Sequence, residues 1–544
     1  MWKIIRFLIL CSLIGACTSG EPPNVVTGTR NQILHISNGT EPQGLDPHLV
    51  TGVQEYRIIS ALLEGLVSKN PYTLAPEPGV AERWSVSADQ RTYTFFLRKN
   101  ARWSNGDPVT ASDFIYSWHR VLTPALGSQY AYMLFYIKNA EKFYQGQITD
   151  FNEVGVSAPD GHTLKVELEN PVPFFLQLLD HHIYYPVQRK TIEKYGAMAD
   201  RNSRWTRAGN YVGNGPFMLK KWVLNRIIVV KKNPYYWDAK SVRLNEIHFY
   251  PVDSITTEER MFRAGQLHVT NSVPTQKIET YKKEHPGSLH ISPYLGTYFY
   301  NLNTTVPPLN DARVRRALAM TINREQIVKN ITKGGQIPAY TLTPPDTNGY
   351  TAPPAFNYDV EGARKLLAEA GYSGGKGFPR LTLLYNTSEG HRQIAVAIQQ
   401  MWKTALNIDI SLENQDWKVY LDNQRTMNYQ ISRASWIGDY VDPNTFLELY
   451  VSNGGNNRTG WSNARYDKLI ARAANTQNQQ QRYALFQQAE KILMNEMPVI
   501  PIYTYTSVYL ISPDVKGWPS NILDYHAYKY VYLSSSKEKA GGER

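Results

Sequence analysis

Apolar and polar positions recur along this chain in two periods, and the switches between them mark its elements. Residues 93–98, Tyr-Thr-Phe-Phe-Leu-Arg, form a β-rich run and predict a strand, followed by the turn Ser104-Asn105-Gly106-Asp107-Pro108. Residues 32–37 predict a short strand around Ile33, Leu34 and Ile36. Residues 56–66 place Ile59, Leu62, Leu63 and Leu66 at helical spacing and predict a helix. Another opens at Thr110, an N-cap with Asp113 where a capping box wants an acid. Helical spacing continues at 311–321, 360–370, 389–405 and 482–494, with Gly371 in place to terminate the second of these. Strands predicted at 381–385 and 408–412 flank the third helix, which is the order of a crossover unit. A further strand is expected at 499–503. Strand and helix signals alternate throughout, with no solenoid repeat, so the expected class is α/β with several sheets.

The N-terminus has its own pattern. Lys3 and Arg6 precede an apolar run from Phe7 to Ile14, then the small residues Gly15 and Ala16. That is the layout of a secretory signal over 1–16, too short for the roughly 20 residues that span a bilayer. Leu13-Ile14-Gly15-Ala16-Cys17 resembles the bacterial lipobox, which implies a lipid on Cys17; a plain cleavable signal is the alternative. Residues 17–31 then read as a flexible tether, and the polar stretch from Ser534 as a disordered tail. The two cysteines are Cys11 and Cys17, so processing leaves neither a free thiol nor a disulfide.

Composition narrows the class. With 544 residues, 42% hydrophobic and 19% charged, the chain is long enough for two to four units with sizeable cores. The formal charge of +11 is scattered, without a basic run interleaved with aromatics, which argues against nucleic acid. No second apolar stretch is long enough to span a membrane.

A set of ordered motifs carries a resemblance. They are Gly44-Leu45-Asp46-Pro47-His48, Leu63-Glu64-Gly65-Leu66, Pro78-Gly79-Val80-Ala81-Glu82, and Trp103-Ser104-Asn105-Gly106-Asp107-Pro108-Val109-Thr110 with Asp113-Phe114. Then come Asn214-Gly215-Pro216-Phe217, Asn233-Pro234-Tyr235-Tyr236-Trp237, and Pro307-Pro308-Leu309-Asn310-Asp311. Leu384-Tyr385-Asn386-Thr387-Ser388 and Trp436-Ile437-Gly438-Asp439-Tyr440-Val441-Asp442-Pro443 close the series. Together, over about 32–533, they resemble the dipeptide/oligopeptide extracytoplasmic solute-binding proteins of importers, above all the periplasmic oligopeptide binders.

The resemblance implies a two-lobed clamshell like the type II periplasmic binding proteins. Lobe I would comprise 32–63, 188–295 and 508–533, an extra α/β domain would be inserted at 64–187, and lobe II would span 296–507. Two strand crossovers would form the hinge. It implies capture of short peptides between closing lobes and delivery to the permease of an ATP-driven (ABC) importer. With the lipobox, the expectation is a periplasmic or cell-surface lipoprotein, monomeric, without cofactor or metal.

Carried over residue by residue, Asp439 matches the carboxylate that meets the peptide ammonium. Arg433 matches an arginine that meets the carboxylate of a tripeptide, and His391 a histidine used for longer peptides. Trp417, Trp436, Tyr294 and Tyr298 match aromatics along the cleft; Asn386 and Val53 match further cleft positions. Bland alternatives stand beside each: a turn aspartate, a strand-edge ion-pair partner, a surface histidine, aromatics packing lobe cores. Three departures are visible. A disulfide found in relatives would join positions that are Gly296 and Ile437 here; Thr51 replaces a glutamate; Gln424 replaces an arginine, with Arg425 next to it.

Rival classes find less. There is no Gly-x-Ser-x-Gly elbow or His-Glu-x-x-His pair, and Gly371 to Lys376 misses the phosphate-loop spacing. His181 and His182 would point oppositely if they lay in a strand and would not share a metal. Sibling binders of dipeptides, cell-wall peptides, haem or nickel complexes, and a surface adhesin or signalling lipoprotein, stay open.

Overall fold

The computed structural model describes residues 23–535. The signal at 1–16, Cys17, the first part of the tether and the tail from 536 lie outside the described residues.

Three sheets carry the architecture. The first runs in the order Ile33–Ser37, Glu246–Tyr250, Ile227–Lys232, Phe217–Val223, its first pair parallel and the others antiparallel. The second is an antiparallel set, Ala81–Val86, Thr92–Leu97, Thr163–Glu167 and Val156–Asp160. In Thr92–Leu97 the side chains alternate as the pleat requires, with Tyr93, Phe95 and Leu97 buried. The third sheet has six strands, in the order Ile337–Pro338, Val499–Leu510, Leu289–Leu302, Ile431–Ile437, Leu381–Asn386, Ile410–Gln415.

Several elements follow from local chemistry. The helix Ala111–Leu122 opens with the reciprocal capping box of Thr110 and Asp113. Val360–Glu369 is followed by Gly371 at φ +96°. Leu381–Asn386 and Ile410–Gln415 pair in parallel around the helix Glu389–Leu406, the expected crossover. That helix buries Ile394, Ile398, Trp402 and Leu406 on one face.

Two large cores result. One joins the first and second sheets, from Leu34 to Val269, with Tyr509, Val515 and Tyr528 added from the chain's end. The other gathers residues from Leu295 to Tyr503 around the third sheet. The long strands Leu289–Leu302 and Val499–Leu510 pair along both regions, and their register shifts between Pro293 and Thr297. The fold is a two-lobed α/β clamshell with an extra domain. Buried residues of 64–187 pack continuously with those of the first sheet.

Three expectations are corrected, and the histidine pair is placed. The helix at 56–66 is Val53–Leu62; Leu63 and Leu66 are buried in extended chain beyond it. Asn214 causes the break, accepting from Glu64 N–H at 3.0 Å and donating to Glu64 C=O at 2.8 Å, as a strand neighbour would. An apolar run alone does not separate a buried helix from a buried extended segment. The expected tether is structured from Asn24, in the helix Asn24–Asn31, where Val25 N–H donates to Gly265 and Gly28 is buried. Ser534 is not tail: its N–H donates to Asp514 C=O, and Gln32 clamps Leu533 through both backbone groups. His181 and His182 open a one-turn helix rather than a strand, with ring centroids 4.1 Å apart. Among the described residues no cluster of three or more metal-ligating side chains exists. Gly296 and Ile437 stand directly opposite each other in the ladder, the Ile437 side chain filling the space the glycine leaves.

Candidate functional site

A cavity of about 540 Å³ lies between the two cores, within the roughly 300–1,000 Å³ usual for small-molecule sites. Of the residues carried over from the resemblance, Asp439, Arg433, His391 and Asn386 line it, as do Trp417, Trp436, Tyr294 and Val53. Tyr298 does not. It is fully buried beneath the cavity wall, where its ring lies 4.8 Å under the Arg433 guanidinium.

Asp439 follows the strand Ile431–Ile437, held by its N–H donating to Thr445 Oγ1 at 3.1 Å. Residues from far earlier in the chain enclose its carboxylate. Tyr130 stands beside it, and His181 Nε2 lies 3.4 Å from Oδ1. Lys69 Nζ reaches the Asp439 carbonyl at 3.4 Å, but its charge is engaged by Asp180 at 3.1 Å. Burial holds His181 and His182 near pKa 3, hence neutral. Burial likewise pushes Asp439 up to about 7, with His182 and Lys69 acting against it. No lysine or arginine among the described residues forms an ion pair with this carboxylate, and its burial favours the protonated form.

Arg433 lies on that same strand, Ile431–Ile437. Its guanidinium donates to Asn386 Oδ1 at 3.3 Å and Tyr505 Oη at 2.8 Å, while Nε has no partner. No carboxylate among the described residues pairs with it, so it is not an ordinary ion-pair partner. His391 stands in the first turn of Glu389–Leu406, where burial and the Arg433 charge hold it well below its usual pKa. A neutral His391 offers an N–H or a lone pair, not a positive charge.

Contacts across the cavity tie the lobes together. Trp417 Nε1 donates to the buried Glu55 at 3.2 Å, and Gly52 leaves the room that this approach needs. Tyr136 Oη donates to Glu448 at 2.7 Å, and Arg458 Nη2 to Gln129 at 2.9 Å. The wall formed by Lys69, Tyr130, His181 and His182 was missed from sequence. The adjacent histidines were the signal, but only as a metal pair to be dismissed.

Residues 75–458 match the bacterial extracellular solute-binding proteins, family 5 Middle. The chain belongs to that family. It is 39% identical over 523 residues to the periplasmic murein peptide-binding protein MppA of Escherichia coli, covering 94% of this chain and 95% of MppA. It is 38% identical over 543 residues to the periplasmic oligopeptide-binding protein OppA of Salmonella typhimurium, covering 98% of each. The structure of Haemophilus influenzae OppA in complex with RPPGFSPFR matches with TM-score 0.86 at 36% identity, over 92% of this chain and 99% of that one. One MppA structure matches with TM-score 0.88, over 92% of this chain and 98% of MppA. The unliganded open form of MppA reaches only 0.63, over 93% and 98%. Identity is 39% in both, so the difference is lobe arrangement: this family member is folded here in a closed form.

Proposed function

We propose that this solute-binding protein captures short peptides with a free amino group and hands them to the permease of an ATP-driven importer, without chemically altering them. The observation that carries this reading is that Asp439, a carboxylate with no cation of its own, and Arg433, a guanidinium with no anion, face one cavity between the lobes. A zwitterionic peptide supplies both missing charges. Unpaired charge away from water is costly, so each end of such a ligand stabilises the closed form. The walls are rich in aromatic rings, which give contact area at low entropic cost to varied side chains.

The division into lobe I (32–63, 188–295, 508–533), inserted domain (64–187) and lobe II (296–507) fits this reading. The register shift at Pro293–Thr297 supports a hinge at the crossovers. Export with a lipid on Cys17 and a monomeric state complete the proposal.

Native mass spectrometry of the purified protein, before and after mild denaturation, tests it. Co-purified masses that resolve into short peptides support the reading. A preparation that carries no peptide, and that gives no heat with a panel of free-amino di- to pentapeptides, rules it out.

A further inference from the structure

Away from the cavity, guanidinium groups withdrawn from water follow two patterns. Arg120 forks onto Asp46 at 3.0 and 2.6 Å, and Arg482 onto Asp442 at 2.6 and 2.7 Å. Arg324 instead donates to three carbonyls, of Pro501, Ala319 and Ile322, at 2.8, 3.1 and 3.0 Å. Arg458 follows neither. It lines the cavity, half-buried, and its protein acceptors are two neutral amide oxygens, Gln424 Oε1 at 2.8 Å and Gln129 Oε1 at 2.9 Å.

Two of its five N–H groups are therefore used, and Nε is shielded without a partner. No carboxylate among the described residues pairs with it. The charge is permanent, because a guanidinium does not give up its proton in a protein. Amide dipoles solvate such a charge but do not neutralise it, and the remaining N–H groups suit a planar carboxylate.

Its position relative to the other charges is also given. Gln424 links the two arginines: Oε1 accepts from Arg458 while Nε2 donates to the Arg433 carbonyl at 2.9 Å. Tyr130 and Tyr132 each lie in the field of both Asp439 and Arg458. Tyr420 in turn lies in the field of both Arg458 and Arg433, so Arg458 sits between the two ends of the cavity.

We propose that Arg458 forms a subsite for a carboxylate-bearing side chain on the first or second residue of the bound peptide, so that the protein prefers acidic peptides to their amide counterparts. This rests on the peptide reading above. Gln129, brought from across the cleft, would then help hold the Arg458 fork in place as the lobes close.

Titration calorimetry on the full chain tests it with matched pairs, Glu-Ala-Ala against Gln-Ala-Ala and Ala-Glu-Ala against Ala-Gln-Ala. At one of the two positions the glutamate peptide should bind at least about tenfold more tightly. In Arg458→Gln that ratio should fall to about one, whereas Asp439→Asn should weaken both members of the pair alike. Equal affinities at both positions in the wild type would overturn the subsite while leaving peptide binding intact. So would a glutamate preference that survives Arg458→Gln. The wild-type comparison needs no variant, so a folding defect in Arg458→Gln does not shelter the idea. If none of the four peptides binds the wild type, the peptide reading falls, and the subsite with it.

Discussion

The two ends of the cavity are built on different plans. Around the Arg433 guanidinium, the neighbours come from one sheet or its adjoining helix: Tyr505 from Val499–Leu510, Asn386 from Leu381–Asn386, His391 from Glu389–Leu406. Around Asp439, the partners arrive from the other side of the cleft; Lys69 is separated from it by 370 positions in sequence. The first end stands complete within one lobe. The second exists only when the lobes meet. A ligand carboxylate on this plan meets a preformed site, while a ligand ammonium is satisfied by the act of closing, which makes its recognition the step that shifts the population.

Asp439→Asn strikes the end that closing builds and should have the largest effect. A free-amino peptide should lose about 2–5 kcal/mol of binding, as when one partner of a buried charge pair is removed. N-acetylated peptides should bind the wild type poorly and be indifferent to the change. If calorimetry finds acetylated and free peptides equally tight on the wild type, Asp439 does not receive an ammonium and the contrast between the ends dissolves.

Arg433→Gln strikes the preformed end. The loss should be about 1.5–3 kcal/mol, that of a hydrogen bond to a charged group, and should appear only for peptides short enough to place their carboxylate there. C-terminally amidated versions of the same peptides should hardly respond. A loss of equal size for acid and amide would mean that the guanidinium supports the wall through Tyr298 rather than meeting the ligand.

Protons separate the ends further. Asp439 keeps its proton up to about pH 7 in the folded protein, against an ordinary value of 3.8. Between those values the folded state binds a proton that the unfolded state lacks. This group therefore contributes stability that is present below 3.8 and lost as pH rises to about 7. Affinity runs the other way. The ammonium pairs with the carboxylate form, so binding should tighten by up to about tenfold per pH unit toward neutrality and then level off. Glu448, pushed up to about 7 by burial, adds to the first trend and not the second, because Tyr136, Tyr440 and Asn444 occupy its oxygens. Calorimetry with one free-amino peptide from about pH 5 to about pH 7 should show this rise in affinity for the wild type and not for Asp439→Asn. A wild-type affinity that stays flat over that range would remove Asp439 from the binding step.

The same contrast explains what sequence revealed. The capping box at Thr110 and the crossover around Glu389–Leu406 were legible because their causes are local: a spacing of three residues, a period of 3.6. The Arg433 end was legible for the related reason that its motifs are short and lie on neighbouring strands of one sheet. The Asp439 wall was not. Tyr130, His181 and Lys69 sit in segments with unremarkable patterns, and only long-range packing brings them to the carboxylate. Arg458 escaped for the same reason, although the glutamine it touches, Gln424, was noticed as a departure. The end of the helix at Leu62 was hidden because its cause, Asn214, lies 150 positions from Glu64.

The smallest expected effect belongs to the seam itself. Trp417 Nε1 donates across the cleft to Glu55, whose carboxyl is pushed above its ordinary pKa by burial and has Gln43 N–H as its other close donor. Trp417→Phe keeps most of the ring and removes that donor, so the closed form should lose about 0.5–1.5 kcal/mol relative to the open one. Small-angle scattering of the ligand-free variant should then report a more extended average. Because Trp417 makes this contact with neither ligand charge, free, acetylated and amidated peptides should all weaken by the same factor, at most about tenfold. A loss confined to free-amino peptides would place Trp417 at the ammonium end after all. An unchanged scattering profile with unchanged affinity would mean that closure is held elsewhere, by Tyr136 on Glu448 and Arg458 on Gln129, and that the Asp439 end is assembled without help from this seam.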